Sequence, residues 1–311
     1  MKIGIIGRTE ILFEVTELLL AQGYEIPLIV TAKEAPEYKK TAQDFEALAH
    51  KIGAVFIHSA KINSTENIQK IKSLGSIPLA VSINYSGVIA QEVIDLFPIG
   101  ILNAHLGDLP RYRGNACAAW AILNKEQKVG LCIHKMIGGE LDSGNIIDRK
   151  YLDITIHTRI GEIWEWLNKE IPPMMLNSVM KLSQNPAYYL EVQSKDPKDA
   201  LRTYPRLPED GKINWQQSNE EVVRLINASS EPYSGAFCEY EGEKLIIWRA
   251  AIYEDDENYL AVAGQVAHIY NDTGEVVVIT GKGKVILKEV EYQNNRNLPA
   301  AFIKSIRKRL K

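Results

Sequence analysis

The chain has 311 residues, which is enough for two domains that each bury a core. Hydrophobic residues make up 46% and charged residues 24%, a globular composition that excludes disordered and fibrous proteins. The net charge of -3 gives no general attraction for nucleic acid. No apolar run reaches the about 18 residues that a membrane span needs, and no signal peptide is expected. The three scattered cysteines favour a cytoplasmic protein without a metal site.

The first residues alternate between strand and helix patterns. Residues Lys2 to Gly7 form an apolar run, Glu10 to Gln22 have helical spacing, and Ile26 to Val30 are again apolar. This order predicts a Rossmann-like, doubly wound α/β domain with a mostly parallel sheet. The start of the first helix, at Arg8 and Thr9, is a natural place for an anion.

A polar pair interrupts the apolar run at Gly100 to Leu102. Asn103 and His105 follow it two residues apart, so a strand would place both on one face, about 6.6 Å from each other. An amide donor and an imidazole at that separation can reach two sides of a small reacting group. A carboxylate candidate, Asp142, lies on a glycine-containing loop about thirty-five residues further on.

The later part of the chain changes character. A long helix is predicted over 159–182 with a break at Pro172 and Pro173. Short strands separated by turn residues follow from residue 236 and predict a small OB-like β-barrel, closed by a short helix over 299–309. We therefore expect domains at 1–190 and 213–311, joined by a proline-containing linker at 191–212.

Three motifs carry a resemblance to a known family. Asn103-Ala104-His105, Leu109-Pro110-Arg111-Tyr112-Arg113-Gly114 and Leu141-Asp142-Ser143-Gly144-Asn145-Ile146 resemble the folate-dependent formyltransferases, which include methionyl-tRNA formyltransferase and the sugar N-formyltransferases. The similarity extends from residue 1 to about 305. It implies 10-formyltetrahydrofolate as co-substrate, a Rossmann-like catalytic domain, a carboxyl-terminal barrel and, in some family members, a homodimer.

The resemblance also implies roles for single residues. Asn103 would donate a hydrogen bond to the developing oxyanion, His105 would accept the amine proton, and Asp142 would support that proton transfer. The loops expected to hold the folate contain Tyr85, Gly87, Val88, Ile89, Gly139, Glu140 and Leu141. The residues expected to contact the amine substrate are Arg8, Thr9, Arg111, Tyr112 and Arg113.

The acceptor amine is the least determined part of the prediction. Methionyl-tRNA enzymes usually carry a Gly/Arg/Lys-rich insertion after the second strand, whereas residues 31–40 here contain two glutamates and neither glycine nor arginine. The sequence from His105 to Pro110 also departs from theirs. We therefore predict a nucleotide-linked 4-amino-4,6-dideoxy sugar as the acceptor and consider nucleic acid an unfavoured partner. Methionyl-tRNA is the alternative, since the barrel and the basic tail at 307–311 suit it.

Other classes of function remain open. Gly4 and Gly7 supply two glycines of a dinucleotide fingerprint, which supports a nicotinamide-dependent oxidoreductase only weakly. A non-catalytic nucleotide-binding or RNA-binding module would not need the Asn, His and Asp trio, and a folate hydrolase would use it without an amine. The remaining histidines lack metal-ligand spacing and are predicted to be ordinary core or surface residues; they are His50, His58, His134, His157 and His268.

Overall fold

The computed structural model describes residues 1–311. Its strands are β1 (Lys2–Gly7), β2 (Glu25–Thr31), β3 (Val55–His58), β4 (Leu79–Ile83), β5 (Gly100–Leu106), β6 (Arg113–Gly114), β7 (Lys128–Lys135), β8 (Ile146–Asp153), β9 (Arg202–Thr203), β10 (Ala236–Tyr240), β11 (Glu243–Tyr253), β12 (Val266–Ile269), β13 (Val276–Ile279), β14 (Lys284–Tyr292) and β15 (Asn295–Asn297). The α-helices are α1 (Glu10–Ala21), α2 (Ala42–Ile52), α3 (Thr65–Ser73), α4 (Gln91–Ile94), α5 (Cys117–Leu123), α6 (Ile160–Gln184) and α7 (Asn219–Ser229). Two 3-10 turns occur at Pro208–Gly211 and Pro299–Ala301.

A seven-stranded sheet has the order β3-β2-β1-β4-β5-β7-β8. The first five strands pair in parallel, and β7 runs antiparallel to β5. All five residues of β4 are buried, as expected for a strand covered on both faces. Because β1 lies between β2 and β4, the winding reverses there, and ligands of such sheets bind at the carboxyl ends of the strands. The predicted Rossmann-like, mostly parallel fold is confirmed.

The two glycines of β1 serve close packing. A Cβ on Gly4 would lie 3.0 Å from the Phe97 ring, and one on Gly7 would lie 2.0 Å from the carbonyl oxygen of Ile83. No side chain fits at the second position without moving the β4 backbone. Strand packing therefore explains these two glycines without a role in dinucleotide binding.

The chain forms two compact units that interleave along the sequence. Residues 1–115, 130–152 and 165–203 form one unit, and residues 116–129, 153–164 and 204–311 form the other. The first part of the expected linker, up to residue 203, thus belongs to the first unit. The expected domain bounds, 1–190 and 213–311 with a linker between them, stay a prediction.

In the second unit an antiparallel sheet has the order β10-β11-β14-β13-β12, with β15 beside β14. The last residues of the chain bond to both edge strands. Glu239 of β10 and Lys311 exchange backbone hydrogen bonds of 2.7 and 2.9 Å, and Leu310 N donates to Gly264 O next to β12 at 2.8 Å. The terminal segment therefore bonds to both edges of the sheet, along β10 and at the start of β12.

Two predicted elements are wrong in detail. The helix expected over 299–309 is a single 3-10 turn, because the residues after it pair with strands instead of with one another. The helix expected to break at Pro172 and Pro173 continues through both in α6. Ile171, Met174 and Met175 beside them are all at most 5% exposed, so burial of this face compensates for the backbone hydrogen bonds that proline cannot donate.

The terminal segment predicts a stability effect. Leu310 is 1% exposed and belongs to the core of the second unit. Leu310→Ala should lower the free energy of unfolding by about 2–4 kcal/mol, since it removes buried methyl groups and leaves a cavity. Urea unfolding followed by circular dichroism measures this change. Lys311→Ala, at an exposed neighbouring residue, is the control, and equal effects of the two substitutions would contradict the packing role.

Candidate active site

The pairing of β5 with β7 assembles the polar cluster. Asn103 lies opposite His134 and His105 lies opposite Cys132 in the antiparallel register. Residues two apart on a strand share a face, so Asn103 and His105 face the same side, as predicted. The register adds His134, which the sequence analysis treated as an ordinary histidine.

His105 is held at both ring nitrogens. It is 7% exposed, its Nε2 lies 2.7 Å from the carbonyl oxygen of Tyr112, and its Nδ1 lies 3.5 Å from Asp142 Oδ2. A carbonyl oxygen only accepts, so Nε2 carries a proton and donates it in this hydrogen bond. In the neutral ring the basic lone pair is then on Nδ1, on the side of Asp142.

His134 orients the Asn103 amide. Its ring is 1% exposed, Nδ1 donates to Lys135 O at 2.9 Å, and Nε2 lies 3.2 Å from Asn103 Nδ2. With Nδ1 protonated, neutral His134 accepts at Nε2 from one N–H of the amide. The second N–H of the same amide is left to donate elsewhere. This role depends on pairing between strands about thirty residues apart in sequence, which no local pattern indicates.

Asp142 lies between the two histidines. Its Oδ2 accepts from Gly114 N at 2.9 Å and its Oδ1 lies 3.6 Å from His134 Nε2. Burial raises the pKa of the carboxyl, but His105, His134 and the Gly114 N–H together outweigh it and hold the pKa below its ordinary value of 3.8. The side chain is therefore a buried carboxylate that is charged near neutral pH.

The loop after Asp142 approaches β7 closely. A Cβ on Gly144 would lie 1.8 Å from the carbonyl oxygen of Lys135, so a residue with a side chain would push the loop away. Lys135 N donates to Asn145 O at 2.9 Å across the same contact. Glycine at 144 thus allows the carboxylate of Asp142 to reach the histidines on β5 and β7.

The first predicted folate loop comes directly after β4. Tyr85 is fixed by its hydroxyl, which donates to Ser59 O at 2.6 Å, and a Cβ on Gly87 would lie 2.2 Å from a backbone carbonyl oxygen. Ile89 is 4% exposed and belongs to the core, whereas Val88 is 77% exposed. Only Val88 of these four residues presents its side chain to solvent as an apolar surface.

The second predicted folate loop lies against the first. Gly138 N donates to Gln91 Oε1 at 2.8 Å, which ties this loop to the start of α4, two residues after the first loop. Gly139 has a φ of 79° and open space at its Cβ position. Glu140 and Leu141 are exposed, and Leu141 adds a second apolar side chain. The two loops therefore form neighbouring exposed surfaces near Asp142.

The residues predicted to contact an anion at α1 have internal partners. Arg8 Nε donates to Asn84 O at 2.9 Å and Nη1 donates to Lys33 O at 2.7 Å. Thr9 is 1% exposed, and its hydroxyl caps α1 by accepting from Leu12 N. Thr9 is therefore a buried helix cap, and contact with a substrate stays a prediction for both residues.

The residues of the loop at 111–113 make contacts within the protein. Tyr112 is 4% exposed and supplies the carbonyl oxygen for His105, while Arg113 Nη2 donates to Gln193 Oε1 at 2.7 Å. The exposed Arg111 lies over the Tyr112 ring, 5.4 Å from its centroid. A direct contact of these three residues with the acceptor stays a prediction.

A buried imidazole, a neighbouring carboxylate and an oriented amide at the end of a Rossmann-like sheet are an arrangement with the groups that proton transfer requires. The family model for formyl transferase matches residues 1–178, and the model for the formyl transferase C-terminal domain matches residues 207–307. The chain belongs to the formyl transferase family and is an enzyme of that family. The predicted resemblance is thereby confirmed.

Individual relatives cover nearly the whole chain. A methionyl-tRNA formyltransferase of Acetivibrio thermocellus is 28% identical over 302 residues, which are 96% of this chain and 94% of that protein. The N-formyltransferase from Helicobacter canadensis, solved in complex with folinic acid and dTDP-3-aminofucose, is similar with a TM-score of 0.67 and 16% identity. That similarity covers 92% of this chain and 98% of the other. Separately, none of the helices is both long enough and apolar enough to cross a membrane.

The hydrogen bonds of His134 predict its tautomer. The neutral ring should carry its proton on Nδ1, because Lys135 O accepts there. Two-dimensional ¹H–¹⁵N spectra of the ring nitrogens measure this, with His134→Phe for assignment. His157, which is exposed, is the internal control and should populate both tautomers. A proton on Nε2 of His134 would contradict the proposed orientation of Asn103.

The pKa of Asp142 predicts a pH effect on stability. A folded-state pKa below the unfolded value of about 3.9 contributes stability above that pH and loses it as pH falls through the folded value. The unfolding free energies of the native protein and Asp142→Asn should therefore converge below about pH 4 and diverge above it. Urea unfolding between pH 3 and 7 measures the difference. Asp256→Asn, at an exposed site, controls for the loss of one charge.

Proposed function

We propose that the enzyme transfers the formyl group of 10-formyltetrahydrofolate directly to the amine of a nucleotide-linked amino sugar. The observation that carries this proposal is a cluster in a formyl transferase chain, in which Asp142 lies 3.5 Å from His105 and 3.6 Å from His134, and His134 contacts Asn103 at 3.2 Å. The order of these residue types matches the family motifs. No covalent enzyme intermediate is required, since the amine attacks the formyl carbon itself.

His105 is the proton acceptor. Its Nε2–H is engaged by Tyr112 O, so Nδ1 takes the proton that the attacking amine must lose. The Asp142 carboxylate, 3.5 Å from Nδ1, then stabilises the imidazolium. The proton subsequently passes to the folate nitrogen as the bond between that nitrogen and the formyl carbon breaks. The products are one N-formylated amine and one tetrahydrofolate, so atoms and charge balance.

Asn103 stabilises the negative oxygen. One N–H of its amide is held by His134, which fixes the direction of the other N–H. A neutral amide donor remains in place over the whole working pH range because it does not titrate. Loss of a donor to such an oxygen typically costs about 10²–10³ in rate.

The folate is proposed to bind between the two exposed loops. The loop at 85–89 and the loop at 139–141 are joined by the hydrogen bond from Gly138 to Gln91, and each presents one exposed apolar side chain. An aromatic ring system with polar edges suits two apolar side chains next to exposed backbone. The Helicobacter canadensis relative was crystallised with folinic acid, a related folate.

The segment after β2 favours a nucleotide sugar as the acceptor. In residues 31–40 Glu34 accepts from Ala42 N at 3.2 Å, and Glu10 of α1 accepts from Lys39 N at 3.2 Å. The two glutamates of this segment offset two of its three lysines, so the segment lacks the strongly basic character that would bind the phosphates of a tRNA. The Helicobacter canadensis relative holds dTDP-3-aminofucose, which supports the sugar class. The 4-amino-4,6-dideoxy form of the sugar remains part of this proposal.

Methionyl-tRNA is the second candidate acceptor. The observation in its favour is the 28% identity to a methionyl-tRNA formyltransferase over 96% of this chain, barrel included. The same three residues would perform the same chemistry on either amine. We place the reaction in the cytoplasm, since all three cysteines are buried and none forms a disulfide. Pairing of two copies through the carboxyl-terminal region also stays a prediction.

The function is tested by following tetrahydrofolate release from 10-formyltetrahydrofolate. The purified protein is offered dTDP- and UDP-linked 3-amino and 4-amino sugars and, separately, methionyl-tRNA. Release should depend on one of the sugars and fall by about 10²-fold or more in His105→Ala. His157→Ala, at an exposed histidine, should leave the rate unchanged. Release stimulated by methionyl-tRNA alone would overturn the sugar proposal, and formate release without any amine would identify a hydrolase.

A further inference from the structure

A polar stretch that the sequence places in a linker contacts the active-site loops. We name residues 191–203 the bracing segment. At its start Glu191 and Ile146 exchange two backbone hydrogen bonds of 2.8 Å, beside the Asp142 loop. At its end β9 pairs in parallel with β6, and Arg113 N donates to Leu201 O at 2.9 Å. The segment therefore connects the loop of Asp142 with the loop that contains Gly114.

Gln193 is the buried centre of this segment. Its side chain is 5% exposed, and its Nε2 donates to Asp142 O at 2.9 Å and to Gly144 O at 2.7 Å. Its Oε1 accepts from Arg113 Nη2 at 2.7 Å. Both N–H groups of the amide are thus used on the carbonyl groups that flank Ser143. An amide is the side-chain group that can donate twice and accept at once.

The Asp142 backbone needs such support. Its φ of 48° lies in the left-handed region, which a residue with a Cβ adopts at a cost of about 1 kcal/mol or more. Without Gln193 the carbonyl groups of Asp142 and Gly144 would lose buried hydrogen-bond donors. The carboxylate of Asp142 must at the same time meet the Gly114 N–H at 2.9 Å. Small rotations of this loop would separate the carboxylate from His105.

We propose that Gln193 is a positioning residue that holds the Asp142 carboxylate against His105 and His134 by fixing the backbone on both sides of residue 143. The effect on the reaction rests on the proposed function, whereas the effect on the histidines does not. Arg113 contributes to the same positioning, since its guanidinium group donates to Gln193 Oε1 and so orients the amide. The groups that face the carboxylate are His105, His134 and the Gly114 N–H.

The first test needs no substrate. The titration of His105 and His134 is followed by NMR in the native protein, Gln193→Ala, Gln193→Glu and Asp142→Asn. Removing the carboxylate in Asp142→Asn should lower the titration midpoint of His105. Gln193→Ala should reproduce roughly half or more of that shift, because the carboxylate is displaced from the ring. Gln193→Glu should do the same, since a carboxylate donates to neither carbonyl group.

The second test measures formyl transfer in a double-mutant cycle. Gln193→Ala should lower kcat about tenfold with little change in KM, because the loop that it fixes holds the proton-transferring group. In the Asp142→Asn background the same change should cost less than about twofold, since a residue that acts through Asp142 loses its effect there. Val192→Ala, adjacent in the bracing segment and 66% exposed, is the matched control in both tests.

The outcomes separate the inference from the proposed function. An unchanged His105 midpoint in folded Gln193→Ala, checked by circular dichroism, would overturn the positioning role. Effects of Gln193→Ala and Asp142→Asn that simply add would overturn it as well. If no amine supports formyl transfer while the His105 midpoint shifts as expected, the inference stands and the proposed function fails.

Discussion

The site depends on keeping one carboxylate charged in a largely buried position. Removing a charge from water costs several kcal/mol unless nearby groups compensate for it. Asp142 obtains that compensation from the Gly114 N–H and, when its ring is protonated, from His105, which belong to different parts of the chain. The pairing of β5 with β7, the glycine at 144 and the position of β6 with Gly114 bring these groups together. The fold therefore brings together the groups that keep the Asp142 carboxylate charged.

The sequence predicted most of the first unit. The apolar runs of β1 to β5 are long, and helices with clear spacing separate them, so local pattern and final structure agree. The motif residues Asn103, His105 and Asp142 stood out because each interrupts an apolar run or lies between glycines, and the structure places them in one region, while their catalytic roles stay a prediction. Where local pattern decides the structure, the prediction from the sequence holds.

The failures share a physical cause, which is that pairing distant in sequence overrides local pattern. His134 acquires its role only when β7 pairs with β5 in one register, and a shift by one residue would turn it away from Asn103. The last residues of the chain have helical spacing, but the open edges of β10 and β12 offer them better hydrogen bonds. Gln193 lies in a polar stretch that resembles a linker, and nothing in its neighbourhood reveals that its side chain is buried.

The same contacts separate the buried residues of the site from its exposed loops. Asn103 and Asp142 are held by His134, Gln193 and backbone atoms, whereas the loops proposed to meet the folate are exposed. Residues on exposed loops can change without altering the buried hydrogen bonds. Under the proposed function, the exposed loops and the segment after β2 would select the acceptor, while the residues on β5 and β7 together with Asp142 would carry out the proton transfer.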